Sequence, residues 1–251
     1  MKLNNLQGEN VFKPIPGNNP VSVENTTLSP YCYVGLLLVT FPNRQTYVGT
    51  ATLIGKMSGD KESIHVLTCA HNLYSKNDGG MAVTVRFQRA FNDPDAPYEP
   101  IEAEKWSFPD AYPDTDLPND LPSRFIDERL IEANVALDYA VVKLKKAIRT
   151  EQSLPFVQVK TTEDLMYKQI QINSYGWYNE AMAHAQGPIK EVAAQRLFYP
   201  ISTRSGAAGA AIMNRDSLEI YGIHTRETDR DLNQGVRITD SVKNEILSWM
   251  E

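Results

Sequence analysis

Two residues suited to proton transfer follow separate apolar segments of the sequence. His71 comes directly after the apolar run in HVLTCAHNLY, where a turn can present its imidazole to a cleft. Asp138 in ALDYAVVKL is in phase with the inward-facing positions 140, 142 and 144 of a second predicted strand. An unpaired buried carboxylate is unfavourable, so we expect Asp138 to pair with His71. That pairing would fix the imidazole tautomer and leave the other nitrogen to accept a proton from a hydroxyl.

A glycine-containing turn, STRSGAAGAA at residues 202–211, supplies the second chemical feature. Gly206 and Gly209 have the spacing of a Gly-x-Ser-Gly nucleophile turn, and Ala208 stands where the serine belongs. The glycines let the backbone turn sharply, so the amides of Gly206 and Ala208 are candidate donors for an oxyanion hole. Loss of such a serine costs about a million-fold in turnover, so we predict that the chain as written is inert.

Ser205 is an alternative nucleophile, and the spacing disfavours it. That register puts Thr203 where the oxyanion glycine belongs and leaves Gly209 unexplained. We assign structural roles to His65 and His184, because nothing in the sequence places either residue near a cleft.

The elements that must position these residues are predicted to be strands, because the apolar period is mostly two. The predicted strands lie near 33–40, 46–55, 63–69, 82–88, 139–145, 169–175, 192–200, 209–213, 217–224 and 234–238. One helix, capped by Asp240, is predicted to close the chain. Residues 1–30 are predicted to form an arm over the body and residues 108–129 a long surface loop. A break near 149–158 could join two halves.

Composition excludes several classes of function. The 251-residue chain carries a net charge of −6 with scattered basic residues, so we expect no nucleic-acid partner. Its longest apolar run, YCYVGLLLVTF, is about half the roughly 20 residues needed to cross a bilayer, so we expect no membrane span. The polar start MKLNNLQGEN predicts a cytoplasmic protein, or a secreted one whose leader has been removed.

The cysteines and histidines give no sequence signature of a metal or cofactor site. Cys32 and Cys69 are the only cysteines, and both are predicted to be buried free thiols. They form no short-spaced zinc-ligand pair with the scattered histidines, so we assign no metal and no cofactor.

Four motifs in order, LTCAHN, LDYAVVKL, SGAAGAA and GVRIT, resemble those of chymotrypsin-like serine proteases. Within them, FYPISTRSGAAGAA followed by IYGIHT is most similar to the V8-like glutamyl endopeptidases. The resemblance spans roughly residues 30–250. It implies an all-β fold of two antiparallel six-stranded β-barrels with a C-terminal α-helix. The first barrel, residues 31–150, would carry His71 and Asp138, and the second, residues 151–251, the oxyanion turn.

The resemblance has two departures besides Ala208. Ala207 replaces the aspartate that receives a newly formed N-terminus in many chymotrypsin-like enzymes, so that activation route is excluded. Asn72 replaces the cysteine that commonly follows the catalytic histidine. V8-like relatives share both departures.

The resemblance also implies a substrate preference. Thr203 and His224 match the family positions that hold a glutamate side chain before the scissile bond, and Arg204 or Arg226 could reinforce the positive field. A lone histidine on this strand face is more often a hydrogen-bonded core residue. Together, Thr203 and His224 predict cleavage of peptides after Glu and more weakly after Asp. A protonated His224 imidazole would add a charge-assisted hydrogen bond to the substrate carboxylate.

Two hypotheses account for Ala208. In the first, the natural protein is a serine endopeptidase and the alanine was introduced in place of its nucleophile. In the second, the chain is a natural pseudoprotease that binds peptides or proteins. The retained His71, Asp138, Gly206 and Gly209 favour the first.

Overall fold

Strands make up most of the regular structure in a computed structural model that describes residues 15, 18–117, 126–176, 181–228 and 230–251. In chain order the strands are β1 (Val21–Ser22), β2 (Val34–Thr40), β3 (Thr46–Leu53), β4 (Glu62–Thr68), β5 (Tyr74–Ser75), β6 (Gly80–Met81), β7 (Thr84–Arg89), β8 (Ile101–Ser107), β9 (Ala140–Arg149), β10 (Phe156–Val157), β11 (Gln169–Tyr175), β12 (Met182–Pro188), β13 (Glu191–Val192), β14 (Arg196–Tyr199), β15 (Ala211–Met213), β16 (Glu219–Glu227) and β17 (Asn233–Arg237). The α-helices are α1 (Glu128–Leu137), α2 (Thr162–Leu165) and α3 (Asp240–Trp249). Short 3-10 helices lie at Tyr31–Tyr33, Ala70–Asn72, Lys76–Asp78 and Tyr112–Thr115.

The first half of the chain forms a closed antiparallel barrel in the order β2-β3-β4-β9-β8-β7. Alternate residues of these strands point inward, so side chains such as Leu37, Phe87 and Val142 are fully buried in its core. The alternation that predicted these strands is therefore the pattern that fills the barrel.

The second half forms a curved sheet in the order β1-β12-β11-β15-β16-β17-β14-β13, with β10 added beside β16. Its inner face holds a separate apolar cluster that includes Ile172, Leu197 and Ile212. The predicted all-β fold with a C-terminal helix is confirmed. In the described residues the strands at the two ends of this sheet, β1 and β13, do not pair with each other, so the second assembly is an open half-barrel.

A third apolar cluster joins the two assemblies. It combines Leu67 of β4 and Val135 of α1 with Ile223 of β16 and Ile246 of α3. α1 and α3 therefore pack at the junction between the barrel and the sheet.

The predicted strands all occur. Two further long strands, β8 and β12, and the two-residue strands β1, β5, β6 and β10 were not predicted. The closing helix is confirmed, but its cap is Thr239, whose side chain accepts a hydrogen bond from the amide of Val242. Asp240 is the first helical residue, so the predicted cap was one residue late.

The predicted surface loop at 108–129 is irregular over most of its described part, but it is not wholly a surface segment. Tyr112 is fully buried in a 3-10 helix, and α1 begins at Glu128, capped by Asp127. Residues 118–125 lie outside the described residues. Beyond the predicted loop, α1 was not predicted, although Ile131 and Val135 form an apolar face on it.

Part of the predicted arm is described. Ile15 is buried, and its amide donates to the hydroxyl of Ser202 over 2.7 Å. β1 adds to the edge of the second sheet beside β12. Residues 1–14 and 16–17 of the predicted arm lie outside the described residues. No helix in the described part of the chain is long and apolar enough to cross a membrane.

Candidate active site

His71 and Asp138 meet at the junction of the two assemblies. His71 lies in the 3-10 helix that follows β4, and Asp138 caps the C-terminal end of α1. The Nδ1 atom of His71 is 2.7 Å from Oδ2 of Asp138, and the His71 amide donates to Oδ1 over 2.9 Å. Asp138 is fully buried, whereas 22% of the His71 side chain is exposed. The predicted pair therefore forms, and Nε2, the nitrogen opposite Asp138, belongs to a side chain that is partly exposed.

Burial and charge act in opposite directions on this pair. Burial disfavours the charged form of His71, but the charge and hydrogen bond of Asp138, together with those of Cys69, outweigh it and raise the pKa of His71 well above its ordinary value. Burial also opposes ionisation of Asp138. The charge and hydrogen bonds of His71, with a smaller contribution from Arg226, outweigh that effect and lower the pKa of Asp138. Each group therefore favours the charged state of the other.

The glycine turn docks directly beside His71. The carbonyl oxygen of Ala208 accepts hydrogen bonds from the Thr50 amide and the Asn72 side chain, each over 2.9 Å. Thr50 belongs to β3, and Asn72 is the chain neighbour of His71. These bonds bring residue 208 from the second assembly to the histidine of the first.

Gly209 is required at this contact. It adopts φ = +90°, and a Cβ there would lie 2.2 Å from Oγ1 of Thr68 and 2.3 Å from the carbonyl oxygen of Thr50. Gly206 also has positive φ, at +102°. The sequence expectation of a sharp backbone turn is met at both glycines.

The amides of the turn divide into two sets. The Ala207 amide donates to the carbonyl of Arg204, and the Gly209 amide to that of His224, each over 2.9 Å. Among the described residues, no hydrogen bond engages the amide of Gly206 or Ala208. These are the two donors that the sequence analysis assigned to the oxyanion hole.

His224 lies on β16 beside the turn, and its surroundings keep it neutral. Burial, with a smaller effect of nearby His71, lowers the pKa of His224 to about 3. Its Nδ1 is 2.7 Å from the hydroxyl oxygen of Tyr199, whose pKa is raised by burial. The idea of charge assistance from a protonated His224 is therefore wrong for the free protein. A hydrogen bond donated by Tyr199 to Nδ1 leaves the imidazole proton on Nε2.

Thr203 is oriented by a residue that the sequence analysis missed. The side-chain nitrogen of Asn233 donates to Oγ1 of Thr203 over 2.9 Å and to the carbonyl of Ile201 over 2.7 Å. Because Oγ1 accepts this bond, its own hydrogen remains a donor. No hydrogen bond in the described residues joins Thr203 to His224.

Arg226 points toward α1, and Arg204 is exposed. The Nη2 atom of Arg226 donates a hydrogen bond to Oδ1 of Asn134 over 3.0 Å. The Nδ2 atom of Asn134 in turn donates to the carbonyl oxygen of Thr115 over 3.0 Å. Asn134 is fully buried one helical turn before Asp138. This chain of bonds ties the second sheet to the helix that ends at the candidate acid, a role that sequence position alone did not reveal.

Cys69 is a further residue at the site. It is a buried free thiol, as is Cys32, which confirms that prediction. Its Sγ lies 3.6 Å from Nε2 of His71. Cys69, His71 and Asp138 thus bring three metal-ligand types together, although their spacing along the sequence predicted no such set. The sequence feature that could have indicated this cluster is the position of Cys69, two residues before His71.

The strand assemblies, with a His–Asp pair from one and a glycine turn from the other, define a chymotrypsin-like fold. Residues 49–223 match the family model of the trypsin-like peptidase domain. The chain therefore belongs to the trypsin-like peptidase family. A search of curated protein sequences found no match.

Solved structures share this fold at low sequence identity. A Glu endopeptidase is 19% identical, with a TM-score of 0.72 over 94% of this chain and 97% of that one. Protease Anisep from Arthrobacter nicotinovorans is 15% identical, with a TM-score of 0.63 over 90% and 98%. An inactivated protease paralogue of the scabies mite is 13% identical, with a TM-score of 0.59 over 87% and 92%. These similarities extend over nearly the full length of each chain.

Proposed function

We propose that this chain has the catalytic architecture of a serine endopeptidase whose nucleophile position is residue 208. The observation that carries the proposal is the docking of residue 208 beside His71, through the bond from Asn72 to the Ala208 carbonyl. The His71–Asp138 pair then supplies a base at the place where a serine hydroxyl would stand. With alanine there, the chain as given has no nucleophile and is inert.

In the Ala208→Ser protein each step uses a group already in place. Nε2 of His71 accepts the proton of the introduced hydroxyl while its oxygen attacks the substrate carbonyl, and Asp138 stabilises the resulting imidazolium. The amides of Gly206 and residue 208 bind the oxyanion. The imidazolium then protonates the leaving amine, and water activated by the same histidine hydrolyses the acyl-enzyme.

We propose cleavage after Glu, and more weakly after Asp. Thr203 and His224 offer neutral hydrogen-bond donors, oriented by Asn233 and Tyr199 respectively. A carboxylate accepts such bonds strongly because it carries the charge itself. The Glu endopeptidase among the structural neighbours is consistent with this preference.

The test restores the nucleophile. Ala208→Ser should cleave peptides after Glu, release an activated-ester leaving group in a burst and react with a fluorophosphonate probe. Ala208→Ser with His71→Ala should do none of these efficiently, because the serine then lacks its base. A folded Ala208→Ser protein that neither reacts with the probe nor cleaves a peptide library would contradict the proposal.

The second candidate is a natural pseudoprotease that binds peptides or proteins, and Ala208 itself favours it. Under that hypothesis the chain as given binds Glu-containing peptides and Ala208→Ser remains inert. Calorimetric titration of both proteins with the same peptides separates the hypotheses. The endopeptidase is supported if only the serine variant turns the peptide over.

A further inference from the structure

A thiol and an imidazole face each other at the point where the candidate base would meet its nucleophile. Sγ of Cys69 lies 3.6 Å from Nε2 of His71, the nitrogen opposite the one that contacts Asp138. Cys69 is fully buried, while 22% of the His71 side chain is exposed. A group bound between the two atoms could therefore be approached from the His71 side.

The distance between these atoms fits shared coordination of one metal ion. Zinc binds cysteine sulfur at about 2.3 Å and histidine nitrogen at about 2.0–2.1 Å, usually with tetrahedral angles. Two such ligands on one ion are separated by about 3.6 Å. The Sγ to Nε2 distance of 3.6 Å thus equals the separation that two such ligands have on one cation.

The surroundings of the histidine also suit a cation. Histidine ligands of metals usually donate their second ring N–H to a carboxylate, which fixes the ring and raises its basicity. Asp138 makes this contact with Nδ1 over 2.7 Å. Asp116 is a second carboxylate close enough to interact electrostatically with His71, and it lies on a different segment. Arg226 is the cation that acts on Asp138 from the other side. Lys76 is the cation that acts on Asp116, so each of the two carboxylates has one basic neighbour besides His71.

We propose that Cys69 and His71 form a binding site for a thiophilic divalent cation of the zinc group. Binding releases two protons to solvent, one from the Cys69 thiol and one from Nε2 of the His71 imidazolium, and the thiolate sulfur and the freed Nε2 lone pair bind the cation. Water completes the coordination, and Asp138 remains an outer-sphere partner of Nδ1. This site does not depend on the residue at 208 or on peptidase activity.

Occupation of the site has a defined consequence for the proposed chemistry. The cation takes the Nε2 lone pair that a nucleophile's proton would need, so His71 can no longer act as a base. The site is therefore inhibitory in any form of the protein that carries a serine at 208. Removal of the cation by a chelator should restore the base.

The test is direct binding to the full chain as given, with reduced cysteines. Co²⁺ is the spectroscopic probe, because a cobalt–thiolate bond gives a charge-transfer band that water or imidazole ligands do not. We expect one equivalent of Co²⁺ to give this band and Zn²⁺ to remove it by displacement. Cys69→Ala should lose the band, whereas Cys32→Ala, which removes the other buried thiol, should retain it.

Two further variants separate ligand from outer-sphere roles. His71→Gln should weaken Zn²⁺ binding strongly in equilibrium dialysis, and Asp138→Asn should weaken it roughly 10–100-fold. Circular dichroism checks the fold of each variant. Three results would overturn the proposal and would show a simple thiol–imidazole hydrogen bond. They are the absence of the band in the parent chain, a band that survives in Cys69→Ala, and unchanged Zn²⁺ affinity in folded His71→Gln. None of these results bears on the endopeptidase, which is tested by hydrolysis in Ala208→Ser.

Discussion

His71 is held between burial, which favours its neutral form, and the Asp138 carboxylate, which favours its charged form. The effect of the carboxylate is strong because its Oδ2 lies 2.7 Å from Nδ1 of His71 and its Oδ1 accepts a hydrogen bond from the His71 amide. A base must be neutral to accept a proton, so the raised pKa sets the pH range of the proposed reaction. We expect hydrolysis by Ala208→Ser to increase as the pH rises through the pKa of His71.

Asp138→Asn should lower the pKa of His71, because burial remains and the carboxylate charge is gone. In the parent protein the raised pKa of His71 stabilises the fold below about pH 6.5, and this stabilisation is lost as the pH rises through the folded-state pKa. The variant lacks the raised pKa, so its free energy of unfolding at low pH should be smaller than that of the parent. NMR titration of the imidazole, with a chelator present, measures the shift. His65, whose pKa is about 4 through burial and nearby lysines, is the internal reference. An unchanged pKa of His71 would contradict this account.

His224→Ala tests the proposed recognition of glutamate. In the Ala208→Ser background we expect kcat/KM for Glu peptides to fall by an amount equivalent to about 1–3 kcal/mol, because one donor to a carboxylate is lost. Substrates with an uncharged residue at that position should change little. His184→Ala, on a strand away from the turn, is the matched control. A library profile that prefers Arg, Lys or large apolar residues would remove the Glu assignment while leaving the peptidase proposal intact.

At the scale of elements, α1 connects the second sheet to the candidate acid. Its buried face enters the shared apolar cluster through Ile131 and Val135, and Asn134 bonds to both Thr115 and Arg226. The helix ends at Asp138, so its docking fixes where the carboxylate lies. A helix that the sequence did not predict is therefore part of the support of the site.

Asn134→Ala should lower the free energy of unfolding by about 1–3 kcal/mol, because it leaves the Thr115 carbonyl and the Arg226 guanidinium without their partner. Arg129→Ala on the exposed face of the same helix should change it by less than about 0.5 kcal/mol. Urea unfolding of both proteins gives the comparison. Equal effects would show that the buried bonds of α1 do not contribute.

At the scale of the whole molecule, the candidate site exists only where the two assemblies touch. His71 and Asp138 come from the barrel side, whereas Ala208, Thr203 and His224 come from the sheet side. The contact at Gly209 is so close that no side chain fits between Thr68 and Thr50. The fit of the two halves at one glycine therefore sets the distance from residue 208 to His71.

Gly209→Ala should destabilise the protein by more than the roughly 1–2 kcal/mol that a left-handed backbone costs an alanine, because its Cβ also meets the barrel. Gly59→Ala is the matched control: its φ is +95°, and nothing lies within 4 Å of the added Cβ. Thermal unfolding of both variants separates backbone strain from the clash. A loss at Gly209 no larger than at Gly59 would indicate that the two halves separate easily.

The sequence by itself determined the strands and the chemical pair. Alternation of apolar and polar residues depends on neighbours in the chain, so it predicted the strands around His71 and Asp138 before any contact was known. The spacing of Gly206 and Gly209 predicted the turn for the same reason, since a turn is a local structure. The missing nucleophile at Ala208 is also a property of the sequence alone.

The tertiary structure decided what depends on residues far apart in the chain. The bond from Asn134 to Arg226 and the orientation of Thr203 by Asn233 join side chains that no local pattern relates. It also decided that His224 is neutral, because the burial that lowers its pKa arises only when the sheet closes over it. Local periodicity specifies elements, whereas burial and long-range pairing, which set the chemistry of the site, require the folded chain.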